Sequence, residues 1–475
     1  MLFSSPAFLF AFFPTVFLLH LLLKNTTARN MLLLVASLIF YAGGEPVFVV
    51  LMVASVFINH LMARGIARLS QAGEGQNQAQ KKRRMAIAVA IAFNLLFLGF
   101  FKYARFTVES LNAILGTAIP APQIALPIGI SFFTFQMLSY IVDIYRQPEM
   151  VQRRFYKVLL YIAFFPQLLA GPIVKYHDIA EQIDRRSVTA QGVASGMVRF
   201  CVGLAKKVLI ANAVGMVADQ VFALSPSLLS APTAWLGALA YCLQIYFDFS
   251  GYSDMAIGLG RTFGFEFKEN FRYPFTACGI KDFWRRWHIS LSTWFREYLY
   301  IPLGGNRKGS ARTGVNMAIV FLCTGLWHGA QWTFVIWGIW HGLFLLLENY
   351  RVIRPSRVMG RVYTLLVVTL GFVVFRAETF AQAGAMLSGM FTGFAVTPAQ
   401  MTQFWALLSP FFIAMFGVGV VASVPVLPWI TQRLEARGKA SLGHGLAVAC
   451  SLALLIISAL ATSASAYNPF LYYRF

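Results

Sequence analysis

Charged residues are scarce in this 475-residue chain, and acidic residues are the scarcest. Only 12% of the residues are charged, with 18 Asp and Glu, whereas 58% are hydrophobic. An ordinary soluble domain carries about 25% charged residues. The polar side chains are too few to cover a water-facing surface of this size. The composition therefore excludes a soluble globular protein and predicts an all-α polytopic membrane protein.

Paired cysteines and the common catalytic signatures are also missing. The five cysteines show no paired spacing, so the sequence indicates neither a disulfide framework nor a metal site. It contains no phosphate-binding glycine loop, no HExxH, no GxSxG and no CxxC. No internal repeat of about 20–50 residues is detectable, which argues mildly against the common transporter designs.

Basic residues, by contrast, exceed acidic ones by 21. They lie in short connectors between apolar runs rather than on a water-soluble module, so we expect no binding to nucleic acid. This distribution is typical of cytoplasmic loops that face anionic membrane lipid. An N-terminus outside the cytoplasm places most of the 39 Lys and Arg residues on the inner side. We therefore predict that both termini are extracytoplasmic.

Apolar runs follow one another along the whole chain, and the first, which lacks a basic n-region, is predicted to be a retained membrane helix. The runs lie at about 3–23, 31–43, 46–63, 85–101, 124–145, 193–222, 232–257, 313–326, 330–349, 360–377, 405–430 and 443–464. Several are shorter than the roughly 20 residues that a straight span needs. A further run at 155–174 contains Pro166 and is predicted to be re-entrant. The polar stretch 70–84 is predicted to be a solvated cytoplasmic loop.

The connector at 281–300 is unusual because aromatic and basic residues alternate in it. Its large aromatic residues are Trp284, Trp287, Trp294, Tyr298 and Tyr300, and its arginines are Arg285, Arg286 and Arg296. An interfacial amphipathic helix, with its aromatic rings at headgroup level, accounts for all of them except His288. Arg285 and Arg286 are also candidates for binding an anionic substrate, and His288 is a candidate catalytic residue.

A second block, residues 325–342, places two histidines in an otherwise apolar stretch. His328 follows Trp327, and His341 lies thirteen residues further along. A buried imidazole in lipid-like surroundings is costly, so His328 is a candidate catalytic base and Trp327 and Trp332 are candidate substrate contacts. The alternative for either histidine is a helix–helix hydrogen bond. In one continuous helix the two histidines would lie about 20 Å apart and could not act as a pair.

Intramembrane carboxylates form a third group of candidates. Asp248 and Asp254 flank Tyr252 in an apolar run, where such groups line a path or pair with a base. Asp143 lies near the cytoplasmic end of its run and is predicted to be structural, with Arg146 as a candidate partner. A histidine base, aromatic walls and a basic cytoplasmic side suit transfer of an activated acyl group to a hydroxyl. A proton-coupled transporter is the competing hypothesis, since it would use the same residues as a relay.

These blocks resemble the membrane-bound O-acyltransferase (MBOAT) family, in particular its bacterial branch similar to the alginate O-acetylation membrane protein. The resemblance runs through LFSSPAFLFAFFP, SYIVDIYR, FPQLLAGPI, FDFSGYSDMAIGLG, FWRRWHISLSTWFREYLYIPLGGNR, GLWHGAQWTFVIWGIWHG and YNPFLYYRF. It implies one integral membrane domain over 1–475, with the catalytic motifs in a core at about 124–350. It also implies a ring of about 11–13 transmembrane helices, with re-entrant or interfacial helices, around a central tunnel.

The resemblance further implies that His328 is the catalytic histidine and that His288 is the second functional histidine. The implied reaction moves acetyl from a cytoplasmic thioester, acetyl-CoA, to hydroxyls of an exported alginate- or cellulose-like polysaccharide or to a serine of an exported partner protein. Acetyl-CoA is a substrate here, and no bound cofactor is expected. The implied location is the bacterial inner membrane. Transfer of D-alanine or another acyl group to a cell-envelope polymer is the alternative within this class.

Overall fold

The chain folds into α-helices, as a computed structural model that describes residues 1–71, 76–464 and 467–469 reveals. No strand occurs within these ranges, so the all-α prediction is confirmed. The α-helices are α1 Phe13–Leu22, α2 Thr26–Ala42, α3 Phe48–Gln71, α4 Gln76–Leu115, α5 Ile130–Arg146, α6 Phe155–Ala163, α7 Phe165–Leu168, α8 Tyr176–Asp184, α9 Ala190–Ala205, α10 Asn212–Phe222, α11 Ala231–Thr262, α12 Ile280–Trp284, α13 Ile289–Phe295, α14 Ser310–His328, α15 Trp332–Asn349, α16 Met359–Arg376, α17 Phe380–Thr392, α18 Pro398–Leu407, α19 Pro410–Ala422, α20 Val426–Ala436 and α21 Ala440–Ala464. π-Helical turns at Phe8–Phe12, Lys206–Ala211 and Arg296–Tyr300 and 3₁₀ turns at Pro148–Met150, Pro226–Leu228 and Pro274–Thr276 connect some of them.

Five of the described helical segments are long and apolar enough to cross a membrane. They are Phe48–Ser70, Asn77–Leu115, Ala190–Phe222, Met359–Arg376 and Ala440–Ala464. The pair α18 and α19, bent by 69°, would make a sixth. Other apolar runs give shorter helices or helices interrupted by polar residues, which explains why the number is smaller than the number of runs. The chain is therefore a multi-pass membrane protein, whereas the ring, the tunnel, the single domain and the orientation of the termini remain predictions.

The described residues form two compact units, Met1–Met197 with Ala256–Lys268 and Val198–Met255 with Glu269–Phe475. In the first unit, buried phenylalanine rings pack together, and the Phe3 and Phe8 centroids lie 4.9 Å apart. The run 155–174 is interrupted as predicted, because α6 ends at Ala163 and Phe164, with φ −54° and ψ 111°, is not helical. Phe164 thus leaves the helix two residues before Pro166, because a proline disfavours continuation of the preceding helix.

The loop predicted at 70–84 is mostly helical, and this prediction was wrong. α3 continues to Gln71 and α4 begins at Gln76, so only 72–75 lie outside the described residues. Gln, Ala, Lys and Arg are good helix formers, and their polarity does not prevent a helix from extending beyond its apolar part. Arg83 also has a partner in the fold, since it donates to Tyr145 O at 2.7 Å and lies over the Tyr145 ring.

The helices of the second unit approach closely where glycines face one another. A Cβ at Gly203 of α9 would lie 2.6 Å from Gly251 O of α11, so only glycine permits this spacing. α14 and α15 pack in the same way, because a Cβ at Gly338 would lie 2.5 Å from Phe321 O. The block 325–342 is thus a helical hairpin with a turn after His328, and the continuous helix that we considered for it is wrong.

Candidate active site

His288 lies in a turn that the sequence forms between two short helices of the second unit. The N-terminus of α12 is held by Glu348 of α15, whose carboxylate accepts from Ile280 N at 2.5 Å and Lys281 N at 2.9 Å. α12 ends at Trp284 and α13 starts at Ile289, with His288 as its N-cap in the left-handed conformation, φ 43°. A positive φ is uncommon for a residue other than glycine and is often found at functional sites.

Asn270 fixes the position of this turn through both its backbone and its side chain. Asn270 O accepts from Ile289 N at 2.9 Å, and the side chain Nδ2 donates to Ser253 Oγ of α11 at 3.0 Å. The amide orientation follows, because Oδ1 then faces the donors Ser290 N at 3.2 Å and Ser290 Oγ at 2.8 Å. His288 is therefore attached to α11 through one buried asparagine.

The same amide oxygen assigns the tautomer of His288. Asn270 Oδ1 can only accept a hydrogen bond, and it lies 3.2 Å from His288 Nδ1. Nδ1 must carry the proton, which leaves the lone pair of the neutral ring on Nε2. The imidazole is fully buried, with 0% exposure, so this arrangement is shielded from bulk water. Such a ring is oriented to accept a proton or a hydrogen bond through Nε2.

His328 is the last residue of α14 and lies beside His288. Its side chain is buried, and the two imidazole centroids are 6.4 Å apart. Gly329 follows in an extended conformation and ends the helix there. The two histidines that the sequence analysis named as catalytic are therefore brought together, although 40 positions separate them in the sequence.

Aromatic rings form the walls around both histidines. His328 contacts Trp327 at 5.0 Å, Trp337 at 5.0 Å and Phe375 at 5.3 Å between ring centroids. His288 contacts Phe249 at 4.6 Å and Trp327 at 5.9 Å. Trp327, a predicted substrate contact, is thus in contact with both imidazoles. Low-dielectric walls of this kind exclude water and favour neutral imidazole over imidazolium.

His341 belongs to the packing around Trp337. The Trp337 ring lies 5.1 Å from His341 and 5.0 Å from His328, so it contacts both imidazoles. His341 Nε2 lies against Gly371, where a Cβ would come within 2.8 Å. The His341 ring nitrogens have no hydrogen-bond partner among the described residues, so the helix–helix hydrogen bond considered for it is not observed there.

Asp254 is paired with two cations. Its Oδ1 accepts from Arg199 Nη2 at 2.8 Å and its Oδ2 from Lys206 Nζ at 2.6 Å. Arg199 also binds Glu269, with Nη2 to Oε2 at 2.5 Å. Of the two alternatives for this carboxylate, lining a path or pairing with a base, pairing is the one observed.

Asp248 and Tyr252 occupy neighbouring turns of α11. Asp248 Oδ1 lies 2.7 Å from Lys207 Nζ, and both side chains are at most 5% exposed. Lys207 also donates to Asn212 Oδ1 at 3.0 Å. Tyr252 is buried, with 3% exposure. Asp248 is thus neutralised by a buried lysine, because a charge removed from water is tolerated only when an opposite charge accompanies it.

The remaining candidates lie closer to the surface. Arg286 pairs with Asp282 at 2.9 Å, whereas Arg285 is exposed. Trp332, the first residue of α15, is 48% exposed. Three tryptophans of 281–300, by contrast, are buried in the protein: Trp284, Trp287 and Trp294. These three rings pack within the protein, and the segment forms two short helices instead of one interfacial helix, whereas the depth of the rings in the membrane remains a prediction.

Sequence reasoning missed several residues of the site, among them Asn270, Trp337 and Phe375. Asn270 is a lone amide in a polar segment, and no spacing relates it to His288. Trp337 and Phe375 resemble ordinary apolar residues of membrane helices. Trp337 could have been predicted from its block, because it is one of three tryptophans there, with Trp327 and Trp340, that lie within two residues of a glycine. Phe375 has no comparable sequence signal. No three His, Cys, Asp or Glu side chains converge to hold a metal ion in the described ranges.

Comparison with known proteins identifies the family. The model of the MBOAT, membrane-bound O-acyltransferase family, matches residues 145–375, which include His288 and His328. The chain is 40% identical to the probable alginate O-acetylase AlgI of Azotobacter vinelandii and 41% identical to that of Pseudomonas putida, over 100% of both chains in each comparison. It is 36% identical to the peptidoglycan O-acetyltransferase of Helicobacter pylori, over 82% of this chain and 80% of that one. The chain therefore belongs to the membrane-bound O-acyltransferase family and is an O-acyltransferase.

Proposed function

We propose that this protein moves acetyl from acetyl-CoA, with His328 as the base, toward hydroxyl groups of an exported, alginate-like polysaccharide, which an exported partner protein acetylates in the last step. The observation that carries the proposal is the buried contact between His288 and His328. These two histidines belong to a chain that is similar over its full length to probable alginate O-acetylases. The acetyl group is favoured over D-alanine because the relatives named above are acetyl-transferring enzymes by name.

The reaction follows from the chemistry of a neutral imidazole. His328 takes the proton of the acceptor hydroxyl as its oxygen attacks the thioester carbonyl. A new C–O bond forms, the tetrahedral intermediate collapses, and the C–S bond breaks. The imidazolium then returns its proton to the departing thiolate, so the enzyme is restored. The aromatic walls keep water from competing with the acceptor for the thioester.

His288 is proposed to orient the reacting groups. Its Nδ1–H is held by Asn270, so its Nε2 has a fixed direction beside the His328 ring. A fixed acceptor can hold a hydroxyl in the geometry needed for attack, which contributes through positioning rather than through proton removal. His288 would then affect the rate less than His328 does.

The direction of transfer requires two openings. Acetyl-CoA carries several phosphate charges that cannot cross a bilayer unaided, whereas the proposed polymer lies outside. We propose that the donor enters from the cytoplasm on the side of the basic connector 261–312, where positive charge would concentrate it. An exported partner protein would place the acetyl group on the polymer, in a bacterial inner membrane with both termini of this chain outside.

Acetyl transfer can be tested with inverted membrane vesicles and acetyl-CoA labelled in its acetyl group. Vesicles that contain the protein and enclose the partner protein and the polymer should yield labelled ester, and vesicles with His328→Ala should not. Analysis of exported polymer and of peptidoglycan from cells with and without the gene identifies the acceptor. Ester-linked D-alanine in place of acetyl would overturn the donor assignment, and unchanged esters with altered proton flux would favour the transporter hypothesis.

Sidedness can be tested with two exposed serines changed to cysteine in a background without the five native cysteines. Ser310 begins α14, and Ser227 lies in the turn Pro226–Leu228. A membrane-impermeant maleimide should label Ser227→Cys in intact spheroplasts and Ser310→Cys only after lysis. Labelling of Ser310→Cys in intact spheroplasts would invert the proposed orientation and remove the donor route with it.

A further inference from the structure

A cavity of about 210 Å³ lies beside the two short helices of the connector. Its walls are mostly apolar and come from α12, α13, α14 and α15: Trp284, Leu291, Phe295, Val320, Phe321 and Leu345. Two neighbouring residues on the outer side of α14 and α15, Leu322 and Leu343, are 40% and 49% exposed. The helices that enclose the cavity therefore also present apolar surface of the kind that faces lipid.

Two cations stand at the edge of this cavity. Lys281 and Arg285 both line it and are both exposed. They are four positions apart, so they project from one face of the α12 turn. Neither makes an ion pair within the described ranges, whereas their neighbour Arg286 is neutralised by Asp282. Within those ranges the edge thus carries two positive charges without a protein counter-ion, next to an apolar interior.

One residue of the cavity wall carries a buried hydrogen-bond donor. Trp284 is 7% exposed and lines the cavity, and its Nε1–H finds no acceptor among the residues that the structure describes. A buried donor without an acceptor is destabilising. Two hydroxyl residues also line the cavity, Ser292 and Thr324, and Thr324 has already given its proton to Val320 O at 2.8 Å. A ligand with an acceptor near Trp284 would remove this cost.

We infer that the cavity binds one anionic phospholipid. The phosphate would lie between Lys281 and Arg285, an ester carbonyl would accept from Trp284 Nε1, and an acyl chain would occupy the apolar walls. A phospholipid supplies all three groups at once: a phosphate, a hydrogen-bond acceptor and a hydrocarbon chain. The arm of a coenzyme thioester fits less well, because its two amides would need partners in an interior that offers few polar atoms.

The inferred lipid would also support the histidine site. The Trp284 ring lies 5.7 Å from Trp337, and Trp337 lies 5.0 Å from His328. A lipid that holds Trp284 in place would therefore restrict the ring that packs against His328. This inference concerns the lipid and does not depend on the identity of the acyl donor or acceptor.

Native mass spectrometry of the full-length protein, purified in detergent and titrated with phosphatidylglycerol, tests the inference. The double variant Lys281→Gln/Arg285→Gln should bind the lipid about 30-fold more weakly, since each basic residue near an anionic lipid contributes about fivefold. Trp284→Phe keeps a ring but removes the N–H donor and should weaken binding by about threefold to tenfold. The control Arg307→Gln/Arg312→Gln removes the same charge from the same connector and should bind as the parent does.

Three results would overturn the inference. The first is an equal loss of phosphatidylglycerol binding in the test and control variants, which would show that only the net charge of the connector matters. The second is equally tight binding of zwitterionic phosphatidylcholine, which would show that the two cations do not select the headgroup. The third is displacement of the lipid by free coenzyme A, which would assign the cavity to the donor. Elution as a single monodisperse species in size-exclusion chromatography establishes that each variant is folded.

Discussion

The second unit contains two polar clusters built from opposite kinds of side chain, one buried and one partly exposed. Around His288 and His328 the polar groups are neutral and the walls are aromatic. Around Asp254 the groups are formally charged, and two cations and two carboxylates neutralise one another. The ion cluster already uses its hydrogen-bonding capacity to join α9 to α11. The neutral site instead places the His288 imidazole, whose tautomer Asn270 fixes, beside the His328 ring, which suits positioning by one histidine and proton transfer by the other.

The largest expected effect is that of His328→Ala on acetylation. Loss of a general base costs typically about 10²–10⁴-fold in rate, whereas the helix end around it remains packed by aromatic rings. Acetyl ester in the exported polymer, normalised to protein in the membrane, measures it. His444→Ala changes an exposed histidine and serves as the control. A variant that retains more than about a tenth of the activity would refute the assignment of His328 as the base.

The next effect concerns Asn270, the residue that orients the second histidine. Asn270→Ala removes the acceptor for His288 Nδ1 and Ser290 Oγ together, so we expect a loss of about 10- to 100-fold in activity. The thermal stability of the purified variant separates this loss from unfolding. Unchanged activity in a folded variant would mean that the tautomer of His288 does not matter for the reaction.

Substitutions of His288 itself distinguish positioning from proton transfer. His288→Gln can keep a hydrogen bond near Asn270 but cannot take up a proton, whereas His288→Ala can do neither. If His288 orients a substrate, the Gln variant should retain activity that the Ala variant loses. Equal inactivity of both variants would contradict the positioning role and would require a protonatable group at this position.

Asp254→Asn should give the opposite pattern, with a loss of stability rather than of chemistry. Arg199 and Lys206 would lose their shared carboxylate. Because these side chains are 16–25% exposed, the cost should lie below the about 3–5 kcal/mol of a fully buried ion pair. We expect less protein in the membrane and earlier thermal unfolding, with nearly normal activity per folded molecule. A stable Asp254→Asn variant without activity would show that Asp254 takes part in the reaction. The two clusters would then not differ in function as we propose.

The sequence predicted the two histidines because each lies in an apolar or aromatic block where an imidazole is costly. It could not predict that they meet, since this depends on a turn after His328 and on the left-handed backbone of His288. Asn270 was missed because its role exists only once the connector folds back onto α11. For side chains buried by such folding, local patterns carry little information.

The carboxylates illustrate the same difficulty for charged residues. Asp254 was a site candidate because a lone acid in an apolar run is expensive, yet Arg199 and Lys206, which neutralise it, precede it by 55 and 48 positions. Helix content was predictable from apolar periodicity, whereas helix ends were not, as α4 demonstrates by starting in a polar stretch. The sequence alone therefore could not predict which side chains pair with each other when they are far apart in the chain.

The smallest expected effect lies in the first unit, where a histidine and a carboxylate form a pair unlike that of His288 and His328. His177 begins the exposed part of α8, and its Nδ1 lies 2.9 Å from Asp143 Oδ2 of α5. This hydrogen bond raises the pKa of His177 above 6.5, helped by the charges of Asp143 and Asp178 and opposed by burial and by Lys175.

The raised pKa has a defined sign for stability. A group that binds its proton more tightly in the folded state increases the free energy of unfolding. This increase is complete below the pKa of the unfolded state and is lost as the pH rises through the pKa of the folded state. The parent protein should therefore lose part of its thermal stability as the pH rises above about 6.5, the ordinary pKa of histidine. The loss should be small, because the His177 side chain is 35% exposed and solvent screens the pair. His177→Gln, which cannot titrate, should have a flatter profile in the same detergent. Parallel profiles of thermal stability against pH for parent and variant would refute this role of His177. The difference between a charged histidine pair in the first unit and a neutral one in the second would then have no consequence for stability.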